Sequence, residues 1–247
     1  MTRNGEADPP GEPAWGELLR TGRENVPPRR VELRRLADAA RLLSDRMVAN
    51  TDDEEALRKA ADAVEGAAAL LSGGGRSSYE AFGPAIESGD DPGAFFDHSP
   101  VLGLSNPGAP PLQLDLVDGR VRGRAVFGAP YEGPPGCVHG GWVACAFDEL
   151  LGSAQSAVDR PGMTGTLTVV YRSPTPLFTE LTFEAGVERV ERRKIFVRGT
   201  VHAGDRLCAE AEGIFISIDR DKFDTMRGVD ASARTGTTDM WTGNPVD

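Results

Sequence analysis

Histidine, cysteine, tryptophan and tyrosine are scarce: the 247 residues contain three of each. His98, His139 and His202 lie far apart, with no HxxxH or HExxH spacing. Cys137, Cys145 and Cys208 follow no metal-ligand pattern and cannot all pair. These shortages argue against a metal centre and a disulfide framework, and no cofactor is expected. With no signal-peptide pattern, a reduced, cytoplasmic setting is the simplest reading. No apolar run reaches the length of a membrane span. Basic residues are short as well, 27 Lys and Arg against 38 Asp and Glu, for a formal charge of -11. That balance argues against nucleic acid as the main partner, because phosphate binding needs a basic face, but it leaves room for a local basic groove holding one phosphorylated small molecule.

Glycine and proline are plentiful, at 30 and 18, and they cluster. Residues 1–28 are polar and rich in Pro and Gly, and read as a disordered arm. From 29 to 74 the pattern turns helical. Leu33, Leu36, Ala40, Leu43 and Met47 form one stripe, and Leu57, Ala61, Val64, Ala68 and Leu71 a second. Thr51-Asp52-Asp53-Glu54 between them has the form of a capping box. A helical hairpin is therefore expected, packing on the main domain or lengthening a dimer interface. A DNA-reading helix-turn-helix would want a short Gly turn where this chain has an acidic run. A linker over 75–98 leads to the main domain at 99–222, and a polar tail at 223–247 reads as disordered.

In the main domain the period falls to two. Leu112, Leu114 and Leu116 alternate with polar residues, Asp118-Gly119 makes a tight turn, and Val121, Ala125 and Phe127 line the return strand. Further strand-like runs cover 164–172, 181–191, 194–202 and 206–218. Between the first two strands and the last four lies CVHGGWVACAFDELLGSA, residues 137–154, apolar on nearly every face and carrying Asp148 and Glu149 at its centre. The order strand, strand, helix, four strands implies an α+β domain, an antiparallel sheet with one long helix against it. A helix so apolar is enclosed by its surroundings, so a carboxylate on it is costly unless it is paired or its pKa rises. Taken singly, His139 reads as a helix cap, Thr164 as a strand threonine, and either carboxylate as solvent-facing.

The combination is more specific. His139-Gly140-Gly141, six residues, then Asp148, with Gly152 beyond, resembles the signature of the hotdog-fold acyl-CoA thioesterases of the phenylacetate-pathway (PaaI-type) group. YEGPPGCVHGG, MTGTLTVVYRSPTPL and VERRKIFVRGTV are similar to segments of its mammalian mitochondrial branch, with Thr164 sixteen residues after Asp148 as in that branch. The resemblance covers roughly 99–219. It implies a hotdog fold, an antiparallel sheet wrapped around a long helix, with units pairing edge to edge into a homodimer and a dimer of dimers left open. The expected substrate is an acyl-CoA. The chain would be an α+β hotdog domain with an N-terminal helical hairpin.

Thioester hydrolysis needs a stabiliser for a developing oxyanion and a base or nucleophile. Backbone N–H groups of Gly140 or Gly141, at the positive end of the helix, suit the first role, and glycine there leaves room for the thioester. Asp148 suits the second, with Thr164 orienting it or its water, and His139 orienting the loop or the substrate. The helix rise separates Gly140 from Asp148 by about 12 Å, too far for one chain to use both on one carbonyl carbon. Two chains with antiparallel helices can, which predicts two equivalent sites per twofold dimer. Arg192, Arg193 and Lys194 at a hairpin turn, and Arg172 at a strand end, are candidates for the coenzyme A phosphates; a solvated turn is the plainer reading. Asn106 is a candidate for lining the acyl pocket. Competing functions are an acyl-CoA sensor that binds without hydrolysis, and a dehydratase, whose differently placed His fits poorly.

Overall fold

The computed structural model describes residues 26–71, 83, 91, 93–110, 112–156 and 162–218. The arm expected over 1–28 lies outside them except for its last three residues. The linker over 75–98 lies largely outside, and the tail over 223–247 entirely.

The two N-terminal helices are present, α1 (Pro28–Val48) and α2 (Glu54–Ala69). Pro28 opens α1 at a position where a missing N–H costs nothing. The capping box is corrected: Asp53, not Thr51, caps α2, accepting the Ala56 N–H at 2.9 Å, while Glu54 is already helical. The docking face of α1 also differs from the apolar stripe. Leu36, Leu43 and Met47 remain exposed, and contact is made by Arg34, Ala37, Arg41 and Asp45, which recur at three and four residues on another side. Arg34 grips the buried Asp97 with two bonds of 2.7 and 2.8 Å, and Arg30, 2% exposed, lies against Asp91 and Asp97. Arg41 donates to the carbonyls of Leu104 and Asn106, and Asp45 accepts the Ala129 N–H. The domain offers a carboxylate, two carbonyls and an amide here, so the helix presents its polar side. No residue of α2 is buried.

After a one-turn helix, α3 (Ala94–Asp97), the chain enters the sheet with β1 (Gln113–Val117) and β2 (Arg120–Val126). Asp118 and Gly119, at φ 52° and 72°, form the left-handed two-residue turn between them. A 3-10 turn at Ala129–Tyr131 precedes the central helix α4 (Gly140–Gln155). The remaining strands are β3 (Gly162–Tyr171), β4 (Glu180–Glu191), β5 (Lys194–Ala203) and β6 (Arg206–Ser217). All pairings are antiparallel in the order β1-β2-β4-β5-β6-β3, so β3 is an edge strand.

The sheet curves around α4, the hotdog arrangement that the resemblance implies. Val143, Ala146, Phe147, Leu150, Leu151 and Ala154 are buried, and Phe147 meets Phe183 of β4 edge-on at 6.2 Å. Each fully buried leucine contributes about 1.5–3 kcal/mol. One strip of α4 is left open: Gly141 and Asp148 are exposed, and Ala144, Cys145 and Gly152 half-buried. Among the described residues, no helix is long and apolar enough to cross a membrane.

Candidate active site

His139 caps α4. Its Nδ1 accepts the Gly141 N–H at 3.0 Å, which requires the tautomer protonated at Nε2. Its own N–H donates to the Tyr131 carbonyl at 2.8 Å, and its carbonyl accepts from Trp142 and Val143. Tyr131 stacks edge-on against Trp142 at 4.9 Å. The cap therefore occupies one of the two amides proposed as oxyanion donors. The Gly141 N–H is taken, and the Gly140 N–H has no acceptor among the described residues.

The glycines have structural reasons of their own. A Cβ at Gly140 would lie 3.2 Å from the Tyr171 hydroxyl, and one at Gly141 would lie 3.1 Å from Nδ1 of the capping histidine. Tyr171, at the end of β3, donates its hydroxyl to the Gly140 carbonyl at 2.7 Å.

Two helical turns on, the Thr164 hydroxyl donates to Asp148 Oδ1 at 2.9 Å. A β-bulge produces this contact. Thr164 pairs with Phe215 but Thr166 pairs with Ile214, so Gly165 is the extra residue. Were Gly165 an ordinary paired residue, strict alternation from Leu167 and Val169, opposite Gly213 and Ala211, would turn Thr164 to the outer face. The bulge shifts the parity by one and aims the hydroxyl at the helix.

The burial cost expected at the acidic pair falls on the neighbour. Asp148 is exposed, while Glu149, about 100° around the helix, is half-buried with its carboxylate 3.5 Å from the Ser99 hydroxyl. Desolvation first, and the Asp148 charge second, push its carboxyl up from 4.5 to about 7. A 3.5 Å contact from the Ser99 hydroxyl is too long to offset them. Cys145, one turn before, is pushed up by burial and by both carboxylates.

The predicted residues thus fall into two groups on one chain. His139, Gly140 and Gly141 sit at the Tyr171 end of β3, and Asp148 with Thr164 at its start. The basic turn lies at the second end, for Lys194 pairs with Ile216 and Ile216 with Met163. Lys194 is exposed there, Arg192 holds the left-handed turn position at φ 55°, and Arg193 spends its guanidinium on the Ser217 carbonyl. Arg172 lies at the first end, paired with Glu210. Asn106 is joined to neither group. Its side chain bonds Gly108 N–H and the His98 carbonyl, and its own carbonyl holds Arg41. A surface cavity of about 390 Å³ lies on the outer face of the sheet, lined by Arg122, Arg124, Thr182 and His202, with none of the predicted residues.

Sequence reasoning named Glu149 without giving it a role, and missed Tyr171 and Gly165. A glycine inside a strand pattern is a bulge signal, and it stands beside Thr164. Nothing local marks Tyr171, whose partner is 31 residues away.

The thioesterase superfamily profile matches residues 135–210, which include every one of these site elements except Asn106. The Xenopus laevis acyl-coenzyme A thioesterase THEM4 is 37% identical over 92 residues, 36% of this chain and 41% of its own length. The Bos taurus THEM4 protein is 35% identical over 101 residues, 40% of this chain and 41% of its own. The chain thus matches less than half the length of these relatives. A solved thioesterase superfamily protein is 32% identical with a TM-score of 0.63, over 75% of this chain and 90% of that one. The chain belongs to the thioesterase superfamily.

Proposed function

We propose that the protein is an acyl-CoA thioesterase whose site is completed across a homodimer. The observation that carries this reading is the Thr164–Asp148 hydrogen bond, which fixes one carboxylate oxygen and leaves the other free on the open strip of α4. The Gly140 N–H at the start of the same helix, without an acceptor among the described residues, supplies the oxyanion donor. Asp148 takes a proton from water as oxygen bonds to the thioester carbon. The resulting oxyanion collapses, the C–S bond breaks, and the proton passes to the departing thiolate. Direct attack by the carboxylate would need the same charge in the same place. The placed carboxylate favours hydrolysis over a sensing role.

One chain holds these two groups about 12 Å apart along the helix axis. The edge strand offers the remedy. Most of β3 is exposed, Met163, Val170 and Tyr171 among it, with one hydrogen-bonding edge open. Antiparallel pairing of two β3 strands about a twofold between Leu167 and Thr168 sets Thr164 opposite the partner's Tyr171. That brings Asp148 of one protomer to the Gly140 end of the other. The basic turn at 192–194 then flanks the mouth beside Asp148, with Lys194 free to meet phosphate. Three unpaired cysteines suit the reducing cytoplasm.

Mixing two inactive variants tests the reading. Asp148→Asn and Gly140→Pro each disable both sites of a homodimer. A hybrid dimer has one site carrying both changes and one carrying neither. Equal mixing with subunit exchange should restore about a quarter of wild-type thiol release. No recovery from verified hybrids would show that both groups serve one chain's own site.

A further inference from the structure

We infer that Tyr171 is a positioning residue for the oxyanion donor, holding the Gly140–Gly141 peptide so that the Gly140 N–H stays aimed at the thioester oxygen. This rests on the thioesterase reading. A donor lowers a barrier only if it is already oriented when charge develops. Two consecutive glycines at a helix start are poorly suited to that, because neither backbone dihedral is restrained by a side chain. The restraint has to come from hydrogen bonds on the two peptide planes that flank Gly140, and Tyr171 acts on the second of them, the Gly140–Gly141 peptide. Its carbonyl, that of Gly140, accepts the Tyr171 hydroxyl at 2.7 Å. Its N–H, that of Gly141, is bound by His139 Nδ1 at 3.0 Å. The Gly140 N–H lies in the preceding plane, whose His139 carbonyl accepts from Trp142 and Val143; with both planes held, neither dihedral of Gly140 can turn without breaking a bond, and its N–H keeps one direction.

The tyrosine ring reinforces this by contact. The space where a Cβ would stand on Gly140 is bounded by the Tyr171 hydroxyl at 3.2 Å and ring carbons at 3.3 and 3.5 Å. Glycine at 140 and tyrosine at 171 are therefore one packing unit. Tyr171 reaches this position because it pairs with Ala209 on the inner face of β3, in the same parity as Leu167 and Val169. The strand thus positions both halves of the chemistry. Thr164 on one side of the bulge orients the carboxylate, and Tyr171 on the other orients the amide.

The test is a double-variant cycle on the full-length protein with an acyl-CoA that the wild type turns over. Tyr171→Phe keeps the ring and removes the hydroxyl. It should lower kcat about 3–10-fold, the range for losing one neutral hydrogen bond, and leave KM within about twofold. Gly140→Pro deletes the N–H itself, at a helix position where proline is accepted. In that background Tyr171→Phe should change kcat by less than about twofold, because the group it orients is gone. A wild-type kcat in Tyr171→Phe, or an equal loss in both backgrounds, overturns the inference while the thioesterase reading stands. A wild type inert toward every acyl-CoA removes that reading, and the inference with it.

Discussion

Replacing Glu149 by Gln should stabilise the protein, and only above mildly acidic pH. Burial and the neighbouring Asp148 charge lift this carboxyl from 4.5 to about 7. The folded state therefore holds its proton more tightly than the unfolded chain does. Between those values folding takes up a proton, so stability falls as pH rises through the window. Below about 4.5 the side chain is neutral in both states and resembles glutamine. Above 7 the folded protein carries a poorly solvated charge that glutamine lacks. At about 1.4 kcal/mol per tenfold change in proton affinity, the full difference is roughly 3 kcal/mol. For a domain of this size that is a Tm rise of roughly 6–12 °C. The assay is urea or thermal unfolding of wild type and Glu149→Gln from pH 4.5 to 8. The gap should be near zero at the acidic end and level off above 7. In an Asp148→Asn background it should shrink, since one of the two upward causes has gone. A constant gap across the series, or one that narrows with rising pH, would refute this reasoning.

Two further outcomes are expected from the site geometry. Gly140→Pro should cost about 10²–10³ in kcat beyond Gly140→Ala, which crowds Tyr171 equally but keeps the N–H; His139 already has the extended backbone, φ -60° and ψ 132°, that a following proline requires. Equal rates in the two variants would remove Gly140 as the donor. Deleting Gly165, the extra residue, should leave Thr164 opposite Phe215 and still facing α4, so that its bond to Asp148 and turnover survive; a loss of turnover in a protein that still folds around α4 would show that the bulge itself is needed.

The fold was legible wherever one rule governed a stretch of chain. Alternation located the strands, Asp118-Gly119 its hairpin, and the apolar run from Val138 the enclosed helix, because each pattern reports burial against a single surface. His139, Gly140, Gly141, Asp148 and Thr164 were legible as a spaced motif. What could not be read was choice among nearby alternatives. The acidic pair left open which carboxylate would be buried, since that depends on the loop bearing Ser99, fifty residues upstream. The α1 stripe suggested apolar docking, yet the surface it meets offers Asp97, two carbonyls and the Ala129 amide, and the polar face answers it. The arginines looked free for phosphate, but Arg172 and Arg193 already have partners on their own chain. Helix propensity and periodicity carry no information about such long-range pairs.

The most direct measurement is steady-state release of coenzyme A thiol from short, long and aryl acyl-CoAs by wild type and Asp148→Asn, with size and thermal stability recorded for both. The substitution preserves shape and removes the charge that Thr164 holds in place. The account predicts turnover of at least one thioester by wild type, and a loss of about 10²-fold or more in a variant that remains a folded dimer. Equal rates in the two proteins would contradict it.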